Sequence, residues 1–244
     1  MNHPVVVKAA RLIHAGDIVG AETALASLVE TDGDQALVVA MDELPAKDLL
    51  AVLRDFDASR ESVVNLLVSP EQFARAVVLE RRYGDASHER LHGMINSVVF
   101  RAGGDPGEFI EAIAALDGGC EVLADYLSDR LENLEHFFRH GTFDFFSEGD
   151  DATAGMSDAE CLDALSDPEI NRPFLEHSEV NDHDWLELSW TLRYEHPEIF
   201  RDVLLILRAR SKVEALRQGN DEGVAHSGGD RPASAAEAED ESAL

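Results

Sequence analysis

An all-α protein is the fold class predicted, and three features predict it. Ala, Leu and Val dominate the apolar residues while aromatic residues make up only 7% of the chain, a balance that favours helix over sheet. Gly and Pro stand at the ends of apolar segments more often than inside them, as helices joined by turns require. Where the apolar residues are dense they recur at helical spacing, as Val122, Leu123, Leu127, Leu131, Leu134 and Phe138 do. Short amphipathic helices must stack to bury their faces, so the expected arrangement is a multi-helix superhelical or solenoid-like array ending in a disordered acidic tail. The 244 residues, 45% of them hydrophobic, can supply its core.

The first 30 residues read as two helices meeting at a corner, with Gly16 ending the first and Asp17 capping the second. Ala9, Gly16, Gly20, Ala21 and Ala24 are small enough for the two helices to approach closely, and Leu12, Leu25 and Leu28 supply the apolar stripe. Residues 9–32 thereby resemble a single tetratricopeptide-like helix pair, with no second copy at the 34-residue period of that repeat. From Asp34 the helical segments are "DQALVVAMDELP", "AKDLLAVLRDFD", "SRESVVNLLV", "SPEQFARAVVLERRYG" and "SHERLHGMINSVVFRAG". Ser69-Pro70-Glu71-Gln72 is a strong helix start, because Ser69 caps, Pro70 loses no needed hydrogen bond, and Gln72 returns a bond to the cap.

Residues 41–78 resemble the cytoplasmic N-terminal helical domain of MgtE-type magnesium transporters. The likeness rests on Leu44-Pro45, Leu49, Leu50, Leu53, Val63, Leu66, Leu67 and the Ser69-Pro70 start. It implies a helical fold and, because that domain is acidic and helps to sense magnesium, weak divalent-cation binding. No ligand motif matches residue by residue, and transport does not carry over.

The run "CEVLADYLSDRLENLEHFFRHG" reads as one long helix ended by Gly141. Residues 1–141 make the helical array domain. After it "TFDFFSEGDDATAG" alternates aromatic and polar residues before turning acidic, so 142–156 reads as a short extended segment leading into an acidic loop. The capping box Ser157 to Glu160 reopens helical structure, and Trp185, Leu188, Trp190 and Leu192 anchor a C-terminal helical unit or an extension of the first over 157–216. Residues 217–244 lack large apolar side chains and are expected to be disordered.

Forty-nine acidic against twenty basic residues give a formal charge of -29, which repels phosphate backbones and anionic headgroups and argues against nucleic acid as a partner. No segment reaches the roughly 18 to 20 apolar residues of a membrane span, so no membrane insertion is expected. The N-terminal stretch lacks a long apolar region followed by a small-residue cleavage site, and a cytoplasmic location is the expectation. Cys120 and Cys161 lie far apart and read as buried thiols.

His88, Glu89 and His92 form the pattern H-E-x-x-H, in which two histidines one helical turn apart face a zinc ion and the glutamate polarises its water. Three features oppose that chemistry here. Ser87 is placed to cap a helix, putting His88 in the first turn where the dipole disfavours a cation. Arg90 stands where an apolar residue usually faces the core. Glu108 and Glu111 are third ligands by composition only. Glu132, His136 and His140 align along one helical stripe with Glu135 beside them, but neither glutamate stands three residues before a histidine as carboxylate-bridged bundles require. No phosphate-binding loop or nucleophile elbow is present, and no cofactor is implied.

The expected function is therefore a non-enzymatic module that binds another protein as an adaptor, assembly factor or regulatory subunit. The alternatives are a metal-dependent hydrolase using His88, Glu89 and His92, and a divalent-cation-sensing domain.

Overall fold

Pro4 opens helix α1 (Pro4–His14), whose preceding His3 accepts a bond from the Val5 amide through its ring. Gly16 takes a positive φ of 84°, and the Asp17 amide turns back to the Leu12 carbonyl at 2.9 Å. Asp17 then accepts from the Gly20 amide at 2.9 Å to open α2 (Ile18–Asp32). Ala9 and Ala21 are fully buried, which lets the two backbones approach. In this computed structural model residues 3–56, 60, 62–83, 88–101, 103–146 and 155–225 are described, with side chains as far as residue 218.

The protein is all-α: among the described residues the regular structure is α-helix and short 3-10 turns. Next come α3 (Asp34–Glu43), α4 (Ala46–Asp55), α5 (Val63–Leu67), α6 (Pro70–Tyr83) and α7 (Glu89–Val98). The α6 capping box is present, with the Ser69 amide donating to Gln72 Oε1 at 3.0 Å and the Gln72 amide to Ser69 Oγ at 3.2 Å. The helical segments inferred from sequence do not include α8 (Pro106–Ala114), which Asp105 caps through the Gly107 amide at 2.9 Å.

The long helix expected from Cys120 to His140 is two helices, α9 (Gly119–Tyr126) and α10 (Leu131–His140), divided by a 3-10 turn over Ser128–Arg130. The cause is local. The Tyr126 carbonyl accepts from the His92 ring at 2.9 Å, and the Arg130 amide bonds one residue short, to the Leu127 carbonyl at 3.0 Å. Gly141, with φ 70°, ends α10. Gly141–Phe146 then form bends and a turn where an extended segment was expected, and 147–154 lie outside the described residues.

Ser157 and Glu160 form the expected capping box of α11 (Asp158–Ala164). Asp184 caps α12 (Trp185–Glu195), and α13 spans Pro197–Ala225. The tail expected after residue 217 lies, from residue 226 on, outside the described residues.

Residues Met1–Leu207 form one compact unit. Within it α2 packs on α4, α4 on α6, α6 on α8 and α8 on α12, and a continuous core runs from Leu25 and Leu53 through Phe73, Phe109 and Phe137 to Leu188 and Phe200. Each fully buried side chain of this size contributes about 1.5–3 kcal/mol. Polar ties fix the helices against one another: Arg54 to Glu80 at 3.0 Å between α4 and α6, Arg81 to Asp125 at 2.9 Å between α6 and α9, and Gln72 Nε2 to the Val38 carbonyl at 2.9 Å between α6 and α3. The second unit, Arg208–Leu244, is described as helix to Ala225, with exposed side chains over residues 211–218. Among the described residues no helix is long and apolar enough to cross a membrane.

Candidate functional site

Four elements of the first unit bring polar side chains to one cavity of about 200 Å³. Helix α7 supplies His92 and Asn96, the end of α9 supplies Tyr126, the 3-10 turn supplies Asp129 and Arg130, and the start of α12 supplies Asp184 and Trp185. Amphipathicity sets the first of these placements. Leu91, Met94, Ile95 and Val98 bury one face of α7, which leaves His92 and Asn96 half-buried beside it.

His92 is committed within this wall. Its Nε2 donates to the Tyr126 carbonyl at 2.9 Å, and the two rings meet edge to face with centroids 4.9 Å apart. The Tyr126 hydroxyl donates in turn to Asn96 Oδ1 at 2.6 Å. Burial, reinforced by the Asp184 carboxylate, raises the Tyr126 phenol well above its ordinary range, so it remains a neutral donor. Asp184 accepts from the Leu186 amide at 2.8 Å as the α12 cap. Opposite, the Arg130 guanidinium lies over the Trp185 ring at 5.0 Å, and Phe143 meets the same ring edge-on at 5.3 Å.

The remaining residues of the H-E-x-x-H pattern do not join His92 in this cavity. His88 occupies the cap position of α7 with φ 53° and makes no side-chain capping bond, while Glu89 and Arg90 are exposed. The helix thus starts one residue later than a Ser87 cap implies, and Ser87 lies outside the described residues. Among the described residues no three His, Cys, Asp or Glu side chains are placed to hold a metal ion. Along α10, His136 and His140 face each other at 4.6 Å between centroids, and His136 bonds the Asp144 carbonyl at 3.1 Å. Cys161 is buried, Cys120 is half-buried, and both are free thiols.

A second feature is a groove of about 630 Å³ between α6 and α8. Pro70, Ala74, Ala112, Ala115 and Leu116 form its apolar floor, and Glu71, Glu108 and Glu111 stand on its rim. Arg75, which also lines it, is paired with Asp42 at 3.0 Å. Glu108 and Glu111, third zinc ligands by composition only, border this apolar trough, and the Glu111 carboxylate lies 3.4 Å from the His196 ring. The cavity residues Asn96, Tyr126, Asp129, Arg130 and Asp184 went unselected, because their convergence depends on the α9–α10 break and on α12 returning from far along the chain. No protein-family model matches the chain, and no curated protein or solved structure matches it.

Proposed function

We propose that this protein is a non-enzymatic module that binds another protein, and that the α6–α8 groove takes a basic amphipathic helix of that partner. The observation that carries the reading is the pairing of an alanine floor with a three-glutamate rim. A floor of small side chains lets an incoming helix approach closely, as in other helix-in-groove complexes. The rim favours lysine and arginine flanking its apolar stripe, and the formal charge of -29 steers such a partner from a distance. Asp42, paired with Arg75, offsets the positive charge that Arg75 brings to the groove. Phe145, 55% exposed, and Phe146, 99% exposed, are further apolar contacts on the same unit.

The test is titration of a fluorescein-labelled Lys/Leu amphipathic helix, with polarisation as the readout and an equally basic scrambled sequence as control. Saturable binding that prefers the amphipathic order, disappears in Ala115→Trp and weakens in Glu108→Gln/Glu111→Gln supports the reading. Equal binding of both peptides, or binding that ignores all three substitutions, overturns it.

A further inference from the structure

The polar cavity on α7, α9 and α12 has a feature that the groove does not explain: one of the groups that line it is a cation. Arg130 lies over the Trp185 ring at 5.0 Å, yet its side chain comes from an exposed residue of a 3-10 turn, and no carboxylate among the described residues is placed as its ion-pair partner. A guanidinium stacked on tryptophan in a partly desolvated site is a favourable arrangement in its own right. The walls around it are complementary to positive charge. Asp129 and Asp184 line the cavity, the Asn96 amide oxygen and the neutral Tyr126 phenol are fixed to each other at 2.6 Å, and Phe143 meets the Trp185 ring in a T-shaped contact at 5.3 Å.

We infer that this cavity is a recognition site for a guanidinium group, and that Arg130 is an intramolecular plug occupying it in the free protein. An incoming guanidinium stacks on Trp185, meets Asp129 and Asp184, and displaces Arg130 toward solvent. The rigid parts of the site belong to helices: Asp184 is held by its cap to Leu186, and Tyr126 by its bonds to His92 and Asn96. Arg130, an exposed residue of the 3-10 turn stacked on Trp185, is the group that moves. The same chemistry reaches the site from two sources, an arginine side chain of a protein or a free small guanidinium compound. The inference stands apart from the groove reading, since the two sites share no residue.

The experiment uses the full chain in isothermal titration against agmatine and against a short Gly-Arg-Gly peptide, with the Trp185 indole N–H followed by NMR. Binding with a Kd on the order of 1 mM is expected for the isolated cation. Arg130→Ala removes the competing plug and tightens binding by about tenfold if the plug is nine-tenths seated. Asp184→Asn keeps the helix cap while removing its charge, and weakens binding by about fivefold or more. Glu108→Gln, in the groove, leaves both ligands unaffected and separates this site from general acidity. Tighter binding of the peptide assigns the cation to a protein, and equal or tighter binding of agmatine assigns it to a small molecule. No shift of the Trp185 indole with either ligand, or affinities that Arg130→Ala fails to raise and Asp184→Asn fails to lower, overturns the inference even if the groove still binds its helix.

Discussion

Gly119→Ala is a one-methyl change that this fold should not absorb. Gly119 opens α9 and is buried, and the space its Cβ would need is filled by the backbone of α8. Ile113 C lies 2.7 Å and Ala114 Cα 3.2 Å from that position, with the Ile113 carbonyl oxygen closer still. Backbone cannot rotate aside as a side chain does, so α8 and α9 must move apart. Phe109, Ile110 and Ile113 on one side and Val122 and Leu123 on the other are at most 1% exposed, and they lose packing with any such movement. The expected cost is about 3–5 kcal/mol, in the range reached only by overpacking or strain. For a unit of this size that lowers Tm by about 6–20 °C. Gly16→Ala is the control for a methyl added without a clash, because nothing lies within 4 Å of a Cβ there, although Gly16, unlike Gly119, has a positive φ of 84°. It incurs about 1–2 kcal/mol of left-handed backbone strain, offset in part by a stiffer unfolded chain. Thermal and guanidinium unfolding of both variants decide the matter. A Gly119→Ala loss no larger than that of Gly16→Ala would refute the packing argument.

The other expectations concern the cavity wall. Because burial and Asp184 raise the Tyr126 phenol, the folded state retains a proton that the unfolded chain releases above about pH 10, so stability is lost as pH rises past that point. Tyr126→Phe removes this contribution, and urea melts from pH 8 to 11 should show a flatter alkaline limb; an unchanged limb would place the cause elsewhere. His92→Ala leaves the Tyr126 carbonyl without its donor and costs about 1–3 kcal/mol by thermal melting. A neutral result there would mean that water replaces the imidazole.

Features set by neighbours in sequence were legible, and features set by distant partners were not. The Ser69 to Gln72 and Ser157 to Glu160 boxes each lie within four residues, and the Gly16-Asp17 corner within two, so each could be named from residue type alone. The interruption of the expected long helix at Leu127 depends on His92, thirty-four residues before the carbonyl it bonds. Nothing in the periodicity of "CEVLADYLSDRLENLEHFF" carries that information, since its apolar spacing is compatible with an unbroken helix. The same distance hid the cavity, because Asp184 reads as a helix cap and Trp185 as a core anchor until α12 is brought against α7 and the turn after α9. His92 was visible as half of a zinc pattern, yet the nitrogen such a site would use is bonded to a backbone carbonyl.

Arg193 shows how a charge without a carboxylate partner among the described residues can sit in this core. Arg193 is 7% exposed, and among the described residues of a chain with 49 acidic side chains no carboxylate is placed as its ion-pair partner. Burial lowers its pKa accordingly. What holds it is planar: Nε donates to Asn171 Oδ1 at 3.2 Å, and the guanidinium lies 4.9 Å from the Phe137 ring centroid and 5.1 Å from that of Tyr194. Lysine can reproduce neither the fork nor the delocalised stacking, and its ammonium is more strongly hydrated. Arg193→Lys therefore buries a worse-solvated charge and should cost about 3 kcal/mol or more, the range for an uncompensated buried ion. Arg193→Met keeps apolar volume between the two rings without any charge, sacrifices the Asn171 bond, and should cost less, about 1–2 kcal/mol. Chemical unfolding of the two variants ranks them directly. If lysine proves the milder substitution, charge rather than planar stacking secures this position, and an anionic partner of Arg193 must be sought.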